Sequence, residues 1–156
     1  MTALMAAVTC IVTMVVQIPS PLRGYLNLGD AAVLLAGWLL SPMYGFLGAG
    51  IGSAMADLFS GYVIYAPATF VIKGIMALAA SVLCSLIGRK LPRVIAAVIS
   101  AVVAEAVMIG GYFLFEGILY GIGASAVNLI PNTVQGTVGA LIGCVLINIL
   151  PEKKRI

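Results

Sequence analysis

Residues 25–73 read YLNLGDAAVLLAGWLLSPMYGFLGAGIGSAMADLFSGYVIYAPATFVIK, and this stretch decides the fold. Two apolar runs meet at Ser41-Pro42, and a loop carrying Tyr62 and Tyr65 leads through Pro67 into a third. The polar residues Asn27, Asp30, Asp57 and Lys73 all fall near the ends that an up-and-down arrangement places on one side of a membrane. A charged side chain at such depth costs about 2.5–3.5 kcal/mol on insertion scales, so it turns toward a protein interior or a wet cavity. These ends, with the tops of later runs, predict a small-molecule pocket open to one face.

Working outward, the whole chain shares this texture. It has 156 residues, 63% hydrophobic and only 8% charged, with mean hydropathy +1.21. A soluble domain carries roughly 25% charged residues, so this composition describes an integral membrane protein. The apolar runs are continuous and rich in Ala, Leu and Gly, without the alternation of a membrane β-barrel; they predict helices. The expected fold is an all-α membrane protein, one compact bundle of six transmembrane helices forming a single domain over residues 1–156. The spans are placed at 2–18, 28–40, 42–59, 67–88, 94–115 and 124–150. The first is short of the roughly 20 residues a span needs, so either residues precede Met1 or it sits where the bilayer thins.

Small residues at four-residue steps mark the helix contacts. Gly45, Ala49, Ser53 and Asp57 form one stripe on the third span, with Gly48, Gly52 and Ala56 beside it. Such stripes let backbones approach closely, which makes this helix the expected centre of the bundle. Similar faces are Lys73, Ala77, Ser81 and Ser85 on span four, Ala97, Ala101 and Glu105 on span five, and Gly136, Ala140 and Cys144 on span six. Glu116–Gly123 reads as a glycine-rich loop.

Charge sets the orientation. Arg89, Lys90 and Arg93 cluster around Pro92, and Lys153, Lys154 and Arg155 close the chain, so six of the eight basic residues fall on one side. The positive-inside rule makes that side, and both termini, cytoplasmic, and the pocket then faces out. The expected location is the cell membrane, with multiple passes.

Catalytic and metal chemistry have no foothold. There is no histidine, and Cys10, Cys84 and Cys144 stand alone in apolar runs as small buried hydrophobes. Neither a phosphate-binding GxxxxGK[ST] loop nor a GxSxG elbow occurs, so the chain is expected to be no enzyme and to hold no ATPase, metal or cofactor. Nothing points to nucleic acid.

The polar residues carry paired readings. Lys73 either contacts ligand, pairs with an acid, or snorkels to headgroups; Glu105, near mid-span, either pairs with Lys73 or touches ligand. Asp30 and Asp57 bind or staple outer loops, and Asn27 binds or caps span two. Tyr62, Tyr65, Tyr112 and Tyr120 suit an interfacial belt or stacking on a flat heterocycle. Asn128, Asn132 and Gln135 share a helix face, as a ligand wall or as interhelical bonds. The expected binding set is Asn27, Asp30, Asp57, Tyr65, Lys73, Glu105, Tyr112, Glu116, Asn128, Asn132 and Gln135.

Four strings in order, NLGDAAVLLAGWLLSPMYGFLGAGIGSAMADLFSGY, YAPATFVIKG, GYFLFEG and NLIPNTVQG, cover nearly the whole chain. In order and spacing they resemble the substrate-binding (S) components of energy-coupling factor vitamin transporters, most of all the riboflavin-type superfamily. The resemblance implies capture of a vitamin or precursor from outside. It also implies docking on a membrane coupling protein driven by two cytoplasmic ATPases, and reorientation of the S component in the bilayer. Family docking uses an AxxxA motif in the first helix, which Ala3 and Ala7 supply here. Riboflavin, a pyridoxine-like compound or a thiamin precursor suits the pocket residue types. Two rival readings are a non-transporting scaffold of a cell-envelope complex and a self-sufficient proton-coupled carrier using Glu105.

Overall fold

The computed structural model describes residues 1–20 and 25–150. Pro21, Arg23 and the basic tail 152–155, used above for punctuation and orientation, lie outside the described residues. Helix α1 (Thr2–Val15) leads into strand β1 (Gln17–Pro19), which pairs antiparallel with β2 (Tyr25–Asn27). Helices α2 (Gly29–Leu39), α3 (Pro42–Phe59), α4 (Ala66–Ile87), α5 (Arg93–Tyr120) and α6 (Ile122–Ile149) follow.

Three helices, α4, α5 and α6, are long and apolar enough to cross a membrane; α1 and α2 are shorter apolar helices. At 1.5 Å rise per residue the 22 residues of α4 reach about 33 Å. Large side chains point outward, among them Val98, Val102, Leu114 and Ile118 on α5 and Ile130, Val134, Leu141 and Val145 on α6. The interior is rich in Ala, Gly and Ser, with Val33, Leu34, Met76 and Met108 as its largest fully buried apolar side chains. Where the solvent is hydrocarbon there is no drive to hide Leu or Ile, and small residues win the helix contacts because they permit close dispersion packing.

The third helix follows that logic position by position. Gly45, Ala49, Ser53 and Asp57 are all buried, as are Gly48, Gly52 and Ala56. A Cβ added at Gly52 would overlap the Ala6 carbonyl oxygen of α1, and one at Gly50 would lie 2.7 Å from the Phe70 carbonyl oxygen of α4. The centre, however, is α2 rather than α3. Nine of its residues are buried, including Val33, Leu34 and Ala36 with no exposure, and it packs against α1, α3, α4 and α6. A helix apolar on every side has no face to offer water or polar lipid regions, and it ends up enclosed.

Two boundaries and one helix face differ from the sequence reading. The first helix stops at Val15, and Gln17–Pro19 turns into a strand. The fifth helix continues through Glu116 and Gly117 to Tyr120, so the expected loop 116–123 shrinks to Gly121. On α6 the buried stripe is Gly136, Gly139, Gly143 and Ile147, while Ala140 and Cys144 flank it half-buried. The basic turn and the end of α6 share one end of the molecule, where Arg93 Nη1 donates to the Leu150 carbonyl at 3.1 Å. Hairpin β1–β2 and the starts of α2, α4 and α6 gather at the other end.

Candidate functional site

At the hairpin end two polar layers lie one below the other. The lower layer is centred on Asp30, in the first turn of α2. Its Oδ1 pairs with Lys73 Nζ from α4, and its Oδ2 accepts from Gln135 Nε2 of α6 at 2.8 Å. Gln135 Oε1 in turn accepts the backbone N–H of Asn27 at 3.0 Å. Asn27 Oδ1 accepts the Gly29 N–H at 2.8 Å, which fixes the chain as it enters α2. Lys73 Nζ also sits 5.5 Å from the centre of the Tyr112 ring, within cation–π reach. Asp30 and Lys73 are each almost wholly buried, so their mutual neutralisation is what lets both charges remain inside.

Glu105 does not take the partner expected from the sequence. Lys73 is engaged by Asp30, and among the described residues neither carboxylate oxygen of Glu105 has a hydrogen-bond partner. Glu105 packs on glycine: a Cβ at Gly136 would stand 2.9 Å from its Oε2, and one at Gly139 would stand 3.2 Å from its Oε1. Glycine offers no side-chain donor. Asp30 holds the lysine because it lies at a helix start, where Gln135 and positive backbone ends converge.

Above this layer a pocket of about 410 Å³, counted with the space at its mouth, opens at the end of the bundle. Asn27, Asp57, Tyr65 and Tyr112 line it, as do Glu116, Asn128, Asn132 and Gln135. Asp30, Lys73 and Glu105 do not; they form the layer beneath. Ser20, Tyr25, Tyr62 and Thr69 line it as well and were not in the expected binding set. Tyr25 and Asn27 both serve the site because alternate residues of a strand point the same way, but three residues are too few to display that period.

The walls are hydrogen-bonded in pairs. Tyr25 Oη donates to Asp57 Oδ1 at 2.7 Å, which ties the hairpin to the end of α3. Burial, and then the Asp57 charge, push the Tyr25 phenol above its ordinary value, so it stays a donor. The Tyr25 and Tyr62 rings lie 4.7 Å apart, tilted by 47°. Thr69 Oγ1 and Tyr112 Oη are 3.0 Å apart on α4 and α5. Glu116 Oε1 accepts from Asn128 Nδ2 at 2.8 Å and from Tyr65 Oη at 3.5 Å. Pro131 inside α6 supplies no backbone donor one turn below Asn128.

Three acceptors in these walls are buried and carry no partner among the described residues: Asp57 Oδ2, Glu116 Oε2 and Asn128 Oδ1. Orphaned buried acceptors cost about 1–3 kcal/mol each unless something in the cavity donates to them. The pocket combines aromatic rings with convergent polar groups, the kind of lining that fixes a small molecule's orientation.

The sequence of this chain is similar to a protein of Pyrococcus woesei described as an uncharacterized protein in gap 3' region. The two are 36% identical over 147 residues, which cover 94% of this chain and 95% of that protein. The family model for the ECF-type riboflavin transporter S component matches residues 1–152. With a match over nearly its full length, the chain belongs to the S components of ECF-type riboflavin transporters, substrate-binding transporter subunits rather than enzymes.

Proposed function

We propose that this chain captures a compact heteroaromatic vitamin or vitamin precursor from outside the cell. It then delivers the cargo through a separate membrane coupling protein driven by two cytoplasmic ATPases. The observation that carries this reading is the position of the pocket: it opens at the end of the bundle opposite the Arg89–Arg93 turn. Basic residues favour the cytoplasmic side, so the mouth faces out, both termini lie inside, and the six helices act as one membrane domain. Tyr62, Tyr65 and Tyr112 offer rings to a flat ligand, and the amides and acids offer hydrogen bonds to its edges. Ala3 and Ala7 are exposed on α1, next to Leu4 and Ile11, and give the partner helix a shallow strip to lie against.

The test is to purify the chain from cells and identify co-purified small molecules by mass spectrometry, alongside thermal unfolding with riboflavin, pyridoxine and 4-amino-5-hydroxymethyl-2-methylpyrimidine. A ligand at 100 times its dissociation constant adds about 2.7 kcal/mol to stability. Saturable stabilisation by at least one compound is expected, with uptake into vesicles only when the coupling protein, the ATPases and ATP are present. Stabilisation by none would end the capture reading.

Glu105 favours a second reading, a self-sufficient proton-coupled carrier, because its buried carboxylate has no hydrogen-bond partner among the described residues. That reading requires flux in vesicles without ATPases and its loss in Glu105→Gln. Under the capture reading Glu105→Gln still binds ligand.

A further inference from the structure

The Glu116–Asn128 pair is locked in one sense. A carboxylate only accepts, so the Asn128 amide must turn its Nδ2 toward Glu116 Oε1, as the 2.8 Å contact shows. Tyr65 Oη donates to that same oxygen. With Oε1 used twice and Nδ2 used once, Glu116 Oε2 and Asn128 Oδ1 are left as neighbouring acceptors, each residue being 2% exposed. Asp57 Oδ2 across the pocket is a third. Every unpartnered side-chain polar atom among the lining residues deep enough to be shut from solvent is therefore an acceptor, apart from Ser20 at the rim. Among the described lining residues there is no lysine or arginine.

We propose that Glu116 and Asn128 are the specificity-determining pair of this pocket and read two neighbouring hydrogen-bond donors on the ligand. The donors come from a vicinal diol of a sugar-like chain or from an amino group on a heterocycle. The proposal rests on the capture reading and names what that pocket selects. A ligand that offers acceptors at this wall leaves two buried oxygens unpaired and facing its own lone pairs, and a site built to hydrogen-bond a donor rejects an analogue lacking it far more strongly than a hydrophobic pocket rejects a missing methylene. Phosphomonoesters are disfavoured for a related reason: their charge approaches the carboxylates of Asp57 and Glu116.

The experiment measures dissociation constants of the purified full chain for matched probes. Riboflavin is set against lumiflavin, which lacks the polyol; 4-amino-5-hydroxymethyl-2-methylpyrimidine is set against its 4-oxo counterpart. The 5′-phosphate of riboflavin and the phosphate ester of the pyrimidine complete the set. In at least one pair the donor-bearing probe should bind about tenfold or more tighter, and the pair that shows this identifies the source of the donors. Its phosphate should bind at least about tenfold more weakly. Glu116→Gln should bring the ratio within about threefold, and Asn128→Ala is the second variant, each with its ligand-free melting temperature recorded. Equal binding within both pairs, a ratio unchanged in a folded variant, or a phosphate bound as tightly as its parent overturns the proposal while leaving capture standing. If either variant fails to fold, the wild-type ratios still decide. Binding of no probe overturns both readings.

Discussion

The two polar layers at the hairpin end use similar residues and finish differently. Around Asp30 both carboxylate oxygens are taken, by Lys73 and Gln135, and Gln135 is itself held by the Asn27 backbone. Around Glu116 and Asp57, one oxygen of each acid is satisfied and the other is not. The Asp30–Lys73–Gln135 cluster is closed, and inside a low-dielectric bundle a completed network is rigid, whereas Glu105 beside it keeps both oxygens unpartnered among the described residues. The upper layer keeps acceptors that carry no partner among the described residues. Burial alone does not separate them: Asp30, Glu116 and Asn128 are all 2% exposed or less. What separates the Asp30 cluster from the Glu116–Asn128 wall is the number of lone pairs left over.

The largest effect that would break this contrast is Lys73→Met. It leaves Asp30 charged and buried with Gln135 alone, and breaking a buried pair from one side costs about 3–5 kcal/mol. Thermal unfolding in detergent reads it out; a neutral result would mean the lower layer is not closed by this ion pair. Next comes Gly139→Ala. The new Cβ would stand 2.6 Å from Asp30 Cβ, so the helices must part. A net loss of about 1–2 kcal/mol is expected, after the roughly 1 kcal/mol that alanine returns to a helix. Tyr25→Phe removes one donor from Asp57 and should cost about 1 kcal/mol, mostly as faster amide exchange in the hairpin. The smallest effect lies outside both layers. Ala7→Leu on the exposed face of α1 should change the isolated protein by less than about 0.5 kcal/mol and leave ligand binding intact. It should nonetheless reduce ATP-dependent uptake with partners, because a leucine holds the partner helix off.

How much of this was legible beforehand depended on whether the information was local. The stripes on α3 were readable because helical period is a property of one segment, and Gly45, Ala49, Ser53 and Asp57 are all buried as that period requires. The face shared by Asn128 and Gln135 was readable for the same reason. The partner of Lys73 was not, since two acids on two other helices were equally available and only the tertiary arrangement put Asp30 opposite it. The hairpin was hidden by its size: three residues a strand, one of them Pro19, give no alternation to detect. The end of α5 is hidden in the sequence because glycine is a helix breaker in water. In an apolar surround, leaving backbone groups unpaired costs more than the entropy glycine loses, and the helix runs through Gly117. Glu116 thereby sits on a rigid helix rather than a loop, which is what lets its two oxygens have different fates.

Gly121 is the whole of the link in that region. It alone separates α5 from α6, at φ +88, a conformation that side chains with a Cβ rarely adopt. Two helices of 28 residues each are thus joined with almost no slack. Closing so short a connection demands little entropy, so α5 and α6 are suited to pair as one helical hairpin. The acid and the amide of the upper layer are thereby set facing each other across a single-residue link.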